Sequence, residues 1–243
     1  MSTIKVALVC IAKMEDYYLD EWLEYNNKLG FDKIIMYQNN WTTYIEKPYL
    51  EKKILNGPIV QLKAYNLALH EYQNYDWLVF IDCDEFIVLN KHKTIQDFIN
   101  DFKDKTSIIA LNWVLHGSLN KEKRESNSLL KTFNMRNKNV DKHIKVLVKT
   151  KSNHKMILPH NCFEPAMDTN QKIFTGPFNF NGPTDIAYIS HFRNKTKEDW
   201  DLKCKRGRSD CNFSNDINEW EKEKNINNDI EDLSAHNFLY GHN

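Results

Sequence analysis

The chain has 243 residues, and its 33 Lys and Arg balance 33 Asp and Glu, so no global field points to nucleic acid. An apolar share of 41% and a charged share of 27% are those of a globular protein with one large core, and no run is apolar enough for a membrane span or a signal-peptide core. Five cysteines, odd in number and without C-x-x-C spacing, speak against a disulfide framework or a zinc ribbon and for a reducing compartment.

Residues 4–12 read as a strand buried on both faces. It begins so close to Met1 that no targeting segment is expected and a cytoplasmic location is. The strand ends at Lys13, Glu15 and Asp16, where a helix striped by Leu19, Trp22, Leu23 and Leu29 starts and runs to a stop at Gly30. Residues 33–37 form the next strand, which discharges into the polar loop Gln38-Asn39-Asn40-Trp41. After a turn at Asn56-Gly57-Pro58, Leu62, Tyr65 and Leu69 stripe a second helix. That helix leads into residues 77–81, an unbroken apolar run that reads as a central strand and ends on Asp82, Asp84 and Glu85. Strand, helix, strand, helix, strand over residues 1–90 is a Rossmann-like, nucleotide-binding half with ligands expected at the carboxyl ends of its strands. Neither G-x-G-x-x-G nor a P-loop is present, so a metal rather than a glycine cradle is expected to hold any nucleotide's phosphates.

Residues 91–195 form the second, acceptor-side half of what reads as one domain over 1–243. Thr94 with Asp97 caps a helix faced by Ile95, Phe98, Ile99 and Phe102. Residues 107–113 are a strand leading to His116-Gly117-Ser118, residues 121–127 a charged loop, and residues 143–150 a half-buried strand. Residues 154–183 hold four of the six prolines and read as irregular. A short strand then ends at His191, and Thr196 with Asp199 caps a helix that carries Lys203 and Arg206 and stops at Gly207. The segment 196–243 is expected to be helical, its tail from Asn212 polar and organised around Trp220.

The acids after the central strand carry the chemistry. Side chains alternate along an extended strand, so Asp82 and Asp84 are expected on one side, about 7 Å apart, with Glu85 opposite and orienting a neighbour. Two such carboxylates at the end of a buried strand suit a hard divalent cation. Apolar residues resume at Phe86, which makes a merely solvated acidic turn the poorer reading.

The order Cys10-Ile11-Ala12-Lys13-Met14-Glu15, Tyr18-Leu19-Asp20-Glu21-Trp22-Leu23-Glu24-Tyr25, Ile81-Asp82-Cys83-Asp84-Glu85-Phe86 and His191-Phe192-Arg193-Asn194-Lys195-Thr196 resembles glycosyltransferases of the family-92 type, relatives of the family-2 group with the GT-A fold. Gln61 to Tyr65, Trp113 with Gly117-Ser118, and Lys203 with Arg206-Gly207 also fall where that family places such residues, so the likeness covers most of residues 4–208. Met14 and Phe192 depart from it, standing where members usually carry Asn and Tyr.

The resemblance implies a three-layer α/β/α GT-A fold with a mostly parallel central sheet. It also implies a nucleotide-sugar donor, a UDP-sugar such as UDP-galactose, whose hexose passes with inversion to a hydroxyl of a glycan or glycolipid acceptor. A Mn²⁺ or Mg²⁺ ion would be held by Asp82 and Asp84, with His191 completing the site and favouring Mn²⁺. Lys13, Glu15, Asn39, Gln61, Asp82, Lys195 and Arg206 are then expected at the donor, although cations near a helix end also simply complement its dipole. Trp113, His116, Gly117 and Ser118 are expected at the sugar, Trp113 reading equally well as core. Inversion needs a base near the acceptor hydroxyl, for which Glu164 is the first choice and Asp185 and His160 are the others. Such an enzyme would act in lipopolysaccharide or other surface-polysaccharide synthesis at the inner membrane face, with at most peripheral membrane association. Two other readings compete. A haloacid-dehalogenase-like phosphatase also places D-x-D after a strand but needs Thr or Val where Phe86 stands, and the intact Asp82, Asp84 and His191 speak against an inactive sugar-binding scaffold.

Overall fold

In the computed structural model, which describes residues 4–211 and 216–241, the first apolar run becomes β1 (Val6–Ala12), buried at every position. Helix α1 (Asp16–Leu29) ends where Gly30, at φ 101, returns its N–H to the carbonyls of Asn26 and Asn27, a left-handed stop that suits glycine. Strand β2 (Lys33–Gln38) is followed by β3 (Leu50–Ile54), which carried no strand signal. Its Leu-Glu-Lys-Lys-Ile sequence is partly exposed because β3 is the sheet's edge, where lysines deter further pairing. Helix α2 (Gln61–Glu71) leads to β4 (Trp77–Phe80), β5 (Glu85–Leu89) and α3 (Ile95–Asn100), where Thr94 Oγ1 accepts from the Asp97 N–H at 3.2 Å.

Strand β6 (Ile108–Leu115), helix α4 (Leu129–Thr132), strand β7 (Met135–Arg136) and strand β8 (Ile144–Lys149) follow. Four short strands punctuate the proline-bearing stretch: β9 (Met156–Leu158), β10 (Asn161–Cys162), β11 (Ala166–Met167) and β12 (Ile173–Phe174). Strand β13 (Ala187–His191) precedes α5 (Lys197–Arg206), which opens in a capping box between Thr196 and Asp199. Of the tail expected from Asn212, residues 212–215 lie outside the described residues. Beyond them come α6 (Glu219–Glu223), β14 (Ile230–Glu231) and α7 (Ser234–Tyr240), and Trp220 is buried as the anchor of α6.

The main sheet runs β12-β11-β6-β8-β4-β1-β2-β3, with β13 joining β6 to β5. The expected parallel arrangement holds for β3, β2, β1 and β4. It gives way at β8, which is antiparallel to both β4 and β6, and again between β13 and β5, so the fold is mixed α/β rather than mostly parallel. The chain returns from β6 through α4 and β7 and enters β8 antiparallel to both of its neighbours, a pairing that needs no long helical crossover. Alternation along β1 divides the core between two faces. Val6, Leu8 and Cys10 pack with Trp22 and Leu23 of α1 and Phe98 of α3, whereas Ala7, Val9 and Ile11 pack with Ala64, Tyr65 and Ala68 of α2. Among the described residues no helix is long and apolar enough to cross a membrane.

Candidate active site

A cleft of about 410 Å³ opens at the carboxyl ends of β1 and β4, walled by the end of α5 and roofed by residues 207–210. Its floor is the acidic segment after β4, and here the geometry departs from the extended strand expected. The chain turns, with the Glu85 N–H donating to the Asp82 carbonyl at 3.1 Å and the Asp82 N–H donating to Glu85 Oε2 at 3.0 Å. Glu85 therefore does orient a neighbour, but from inside the turn, and burial raises its carboxyl well above the usual range.

Because of the turn, the two aspartates face different cations. Asp82 Oδ2 accepts from Lys145 Nζ at 2.7 Å, and Asp82 Oδ1 accepts from Gln61 Nε2 at 2.8 Å and Tyr65 OH at 3.3 Å. Asp84 Oδ2 lies 3.4 Å from Lys195 Nζ and 3.7 Å from Lys203 Nζ, while Oδ1 faces His191 Nε2 at 3.7 Å. Burial alone would raise Asp84, but Lys195, Lys203, His191 and Arg206 hold its carboxyl far below the usual range. Burial pushes His191 down to about 3, so its imidazole is neutral at pH 7. Lys195 is 7% exposed and adopts φ 49, backbone strain of the kind stored at functional sites.

Glu15 pairs with Arg206 Nη2 at 2.5 Å and Lys195 Nζ at 3.8 Å, and Arg206 also donates to the Lys13 carbonyl, so the end of β1 is tied to α5. Burial and Arg206 together lower the Lys13 ammonium. The roof is held by the Gln61 N–H donating to the Ser209 carbonyl at 3.0 Å and by Ser209 Oγ donating to Asn39 Oδ1 at 3.0 Å. Asn39 is thus a buried bracket, which also donates to the carbonyls of Leu55 and Gly57, and it does not line the cleft.

On the far side stands Trp113, 9% exposed and enclosed by imidazoles: His143 stacks on it at 4.9 Å and 26°, with His160 at 5.1 Å and His191 at 4.2 Å. Its neighbours in sequence do other work than the sugar contacts expected of them. His116 stacks on Phe192 and engages the Phe133 carbonyl, while Ser118 Oγ donates to the Lys224 carbonyl and Gly117 packs against Asn227 and Asn228, so the latter two anchor the C-terminal segment. Neither proposed carboxylate base lines the cleft: Glu164 pairs with His154 at 3.1 Å and Asp185 with Lys91 at 3.5 Å. His160 does line it, its Nδ1 engaged with the Ile144 carbonyl at 3.0 Å, and burial and Lys145 push it down to about 4.

Lys145, Asp141 and His143 are site residues that carried no weight in sequence. Lys145 left one signal, a single charge inside the apolar run of β8, and it is 1% exposed. Asp141 and His143 left none, because their position depends on the pairing of β6 with β8.

Among the described residues no group of three or more His, Cys, Asp or Glu side chains is arranged to hold a metal. Asp82 already accepts from Lys145, Gln61 and Tyr65, so only the remaining lone pairs of its partly exposed carboxylate face the cleft. Asp84 and His191 fit as a pair. His191 Nε2 stops 3.7 Å from Asp84 Oδ1, too long for a hydrogen bond, so the two atoms would be the ones to hold an ion between them.

Residues 59–231 match the sequence profile described as Glycosyltransferase family 92. A glycosyltransferase family 92 protein of Oryza sativa subsp. japonica is 25% identical over 133 residues, covering 46% of this chain and 21% of that protein. The chain thus aligns with only about a fifth of the length of this curated relative. Among solved structures, HddC from Yersinia pseudotuberculosis is similar over 76% of each chain at 13% identity, with a TM-score of 0.37, too slight a likeness to bear on the fold.

Proposed function

The chain belongs to glycosyltransferase family 92, and from that membership we propose that its cleft binds a nucleotide-sugar donor, a UDP-hexose, and transfers the hexose with inversion to a hydroxyl of a glycan or glycolipid. The sheet is read as a GT-A variant, with residues 1–90 as the donor half and 91–195 as the acceptor half. The observation that carries this reading is the convergence of Lys195, Lys203 and His191 on the buried carboxylate of Asp84, on the floor of a cleft that Arg206 also lines.

Each residue then has a task that follows from its surroundings. Lys203 and Arg206 bind the diphosphate oxygens from the end of α5. Lys195 fixes Asp84, and Lys145 fixes Asp82, whose carboxylate accepts a ribose hydroxyl beside Gln61. Lys13 and Glu15 flank the nucleoside at the end of β1. A Mn²⁺ ion held by Asp84 and His191 would neutralise the charge that grows on the departing diphosphate. The acceptor would be a surface-glycan precursor met at the cytoplasmic membrane face.

Release of nucleoside diphosphate from a panel of UDP-, GDP-, CMP- and dTDP-sugars, with Mn²⁺, Mg²⁺ or EDTA, tests the reading. Metal-stimulated turnover of one UDP-hexose, lost in Asp84→Ala, is expected. Turnover of no donor by folded protein, or phosphate release without nucleotide preference, would contradict it.

A further inference from the structure

We propose that His143, oriented by Asp141, is the general base of the transfer, an assignment that rests on the transferase reading above. Asp141 Oδ1 is 2.7 Å from His143 Nδ1 and accepts the His143 backbone N–H at 2.8 Å. A carboxylate at that distance fixes the tautomer with the proton on Nδ1 and leaves the Nε2 lone pair as the free acceptor. Both residues line the same cleft as Asp84, and the His143 side chain is 33% exposed.

The dyad is rigidly built. The Trp113 N–H donates to the His143 carbonyl at 3.0 Å, the Asp141 N–H donates to the Trp113 carbonyl at 2.9 Å, and Asn112 Nδ2 donates to the Asp141 carbonyl at 2.9 Å. The imidazole also lies against the Trp113 indole, whose ring contacts His191 as well, so one tryptophan spaces the base from the Asp84–His191 pair. Inversion requires this separation, because the acceptor must attack the anomeric carbon from the side opposite the leaving diphosphate. The other two imidazoles of the cleft lack a carboxylate at hydrogen-bond distance: His160 Nδ1 meets the Ile144 carbonyl, and His191 stands 3.7 Å from Asp84.

In the step itself, the acceptor oxygen bonds to the anomeric carbon while its proton passes to His143 Nε2. The bond from that carbon to the phosphate oxygen breaks, and its electron pair leaves with the nucleoside diphosphate. Asp141 stabilises the imidazolium until Nε2 returns the proton to solvent. Asp141 is thus a positioning residue and His143 a catalytic one.

The test measures donor affinity by titration calorimetry and nucleoside diphosphate release from UDP-galactose and UDP-glucose, using the His143→Ala and Asp141→Asn proteins. His143→Ala should lower kcat at least 100-fold with donor affinity unchanged, and added imidazole should restore part of the rate. Asp141→Asn should lower kcat at least 10-fold without raising the donor KM. A His143→Ala protein that binds donor and turns it over within threefold of the parent overturns the base assignment alone. Parent protein that binds neither donor overturns it together with the transferase reading.

Discussion

Lys145 Nζ lies 2.7 Å from Asp82 Oδ2 and 3.7 Å from Glu85 Oε1, with 1% of the lysine side chain exposed. A lysine so buried persists only because its partners compensate the lost hydration: burial alone would lower it, and Asp82 and Glu85 raise it instead. It is therefore the internal counterion that sets the direction of Asp82. Lys145→Met should cost on the order of 3 kcal/mol of stability, the usual scale for breaking a buried pair from one side. Urea unfolding checks this, and an unchanged midpoint would contradict the role.

Met14 adopts φ 56 at the end of β1 and is 56% exposed. This left-handed conformation is costly for a long side chain and tolerated by asparagine, the residue expected there from the family resemblance. Met14→Asn should raise stability by roughly 0.5–1 kcal/mol, read as a higher thermal midpoint, and a lower midpoint would contradict the conformational account.

A Cβ on Gly117 would stand 2.0 Å from Asn228 Oδ1 and 2.8 Å from the Asn227 carbonyl oxygen. The backbone atom cannot swing away, so Gly117→Ala should lower stability by about 1–3 kcal/mol through overpacking. Donor affinity of the folded fraction should be unchanged, because Gly117 holds the C-terminal segment rather than a sugar. A selective loss of donor binding at full stability would restore the sugar role.

Burial holds His116 down to about 4, against about 6.5 in an unfolded chain. Between those values the unfolded chain binds a proton that the folded protein does not. Stability therefore rises with pH through this window and falls as pH drops, by about 2 kcal/mol from this residue between pH 7 and pH 5. Denaturant midpoints at the two pH values should show the fall, and His116→Asn should reduce it. An equal fall in the variant would assign the acid sensitivity elsewhere.

What the sequence disclosed was local. The apolar run of β1, the Thr94 cap, the Thr196–Asp199 capping box and the Gly30 stop are each written within a few residues, and each stands in the structure as expected. The position of Asp84 beside His191 was also legible, through the resemblance and the strand end at His191. The turn at Asp82 was not, because the tightening of the chain depends on Glu85 reaching back to the Asp82 N–H. Lys145 and the Asp141–His143 dyad were hidden for a related reason: they reach Asp82 and the cleft only through the antiparallel insertion of β8 between β4 and β6, and long-range pairing leaves no periodic trace in the residues themselves. His116, Gly117 and Ser118, which the resemblance implies at the sugar, do not line the cleft, because each is held by contacts away from it.

On the proposed reading, the cleft between β1 and α5 holds the diphosphate of a nucleotide donor. Calorimetric titration of UDP and UDP-hexoses into the parent protein and into Lys203→Met, at low and high salt, tests it most directly. Saturable binding that weakens with salt and is reduced at least tenfold in Lys203→Met is expected. Binding of equal strength in both proteins, or none in the parent, would contradict it.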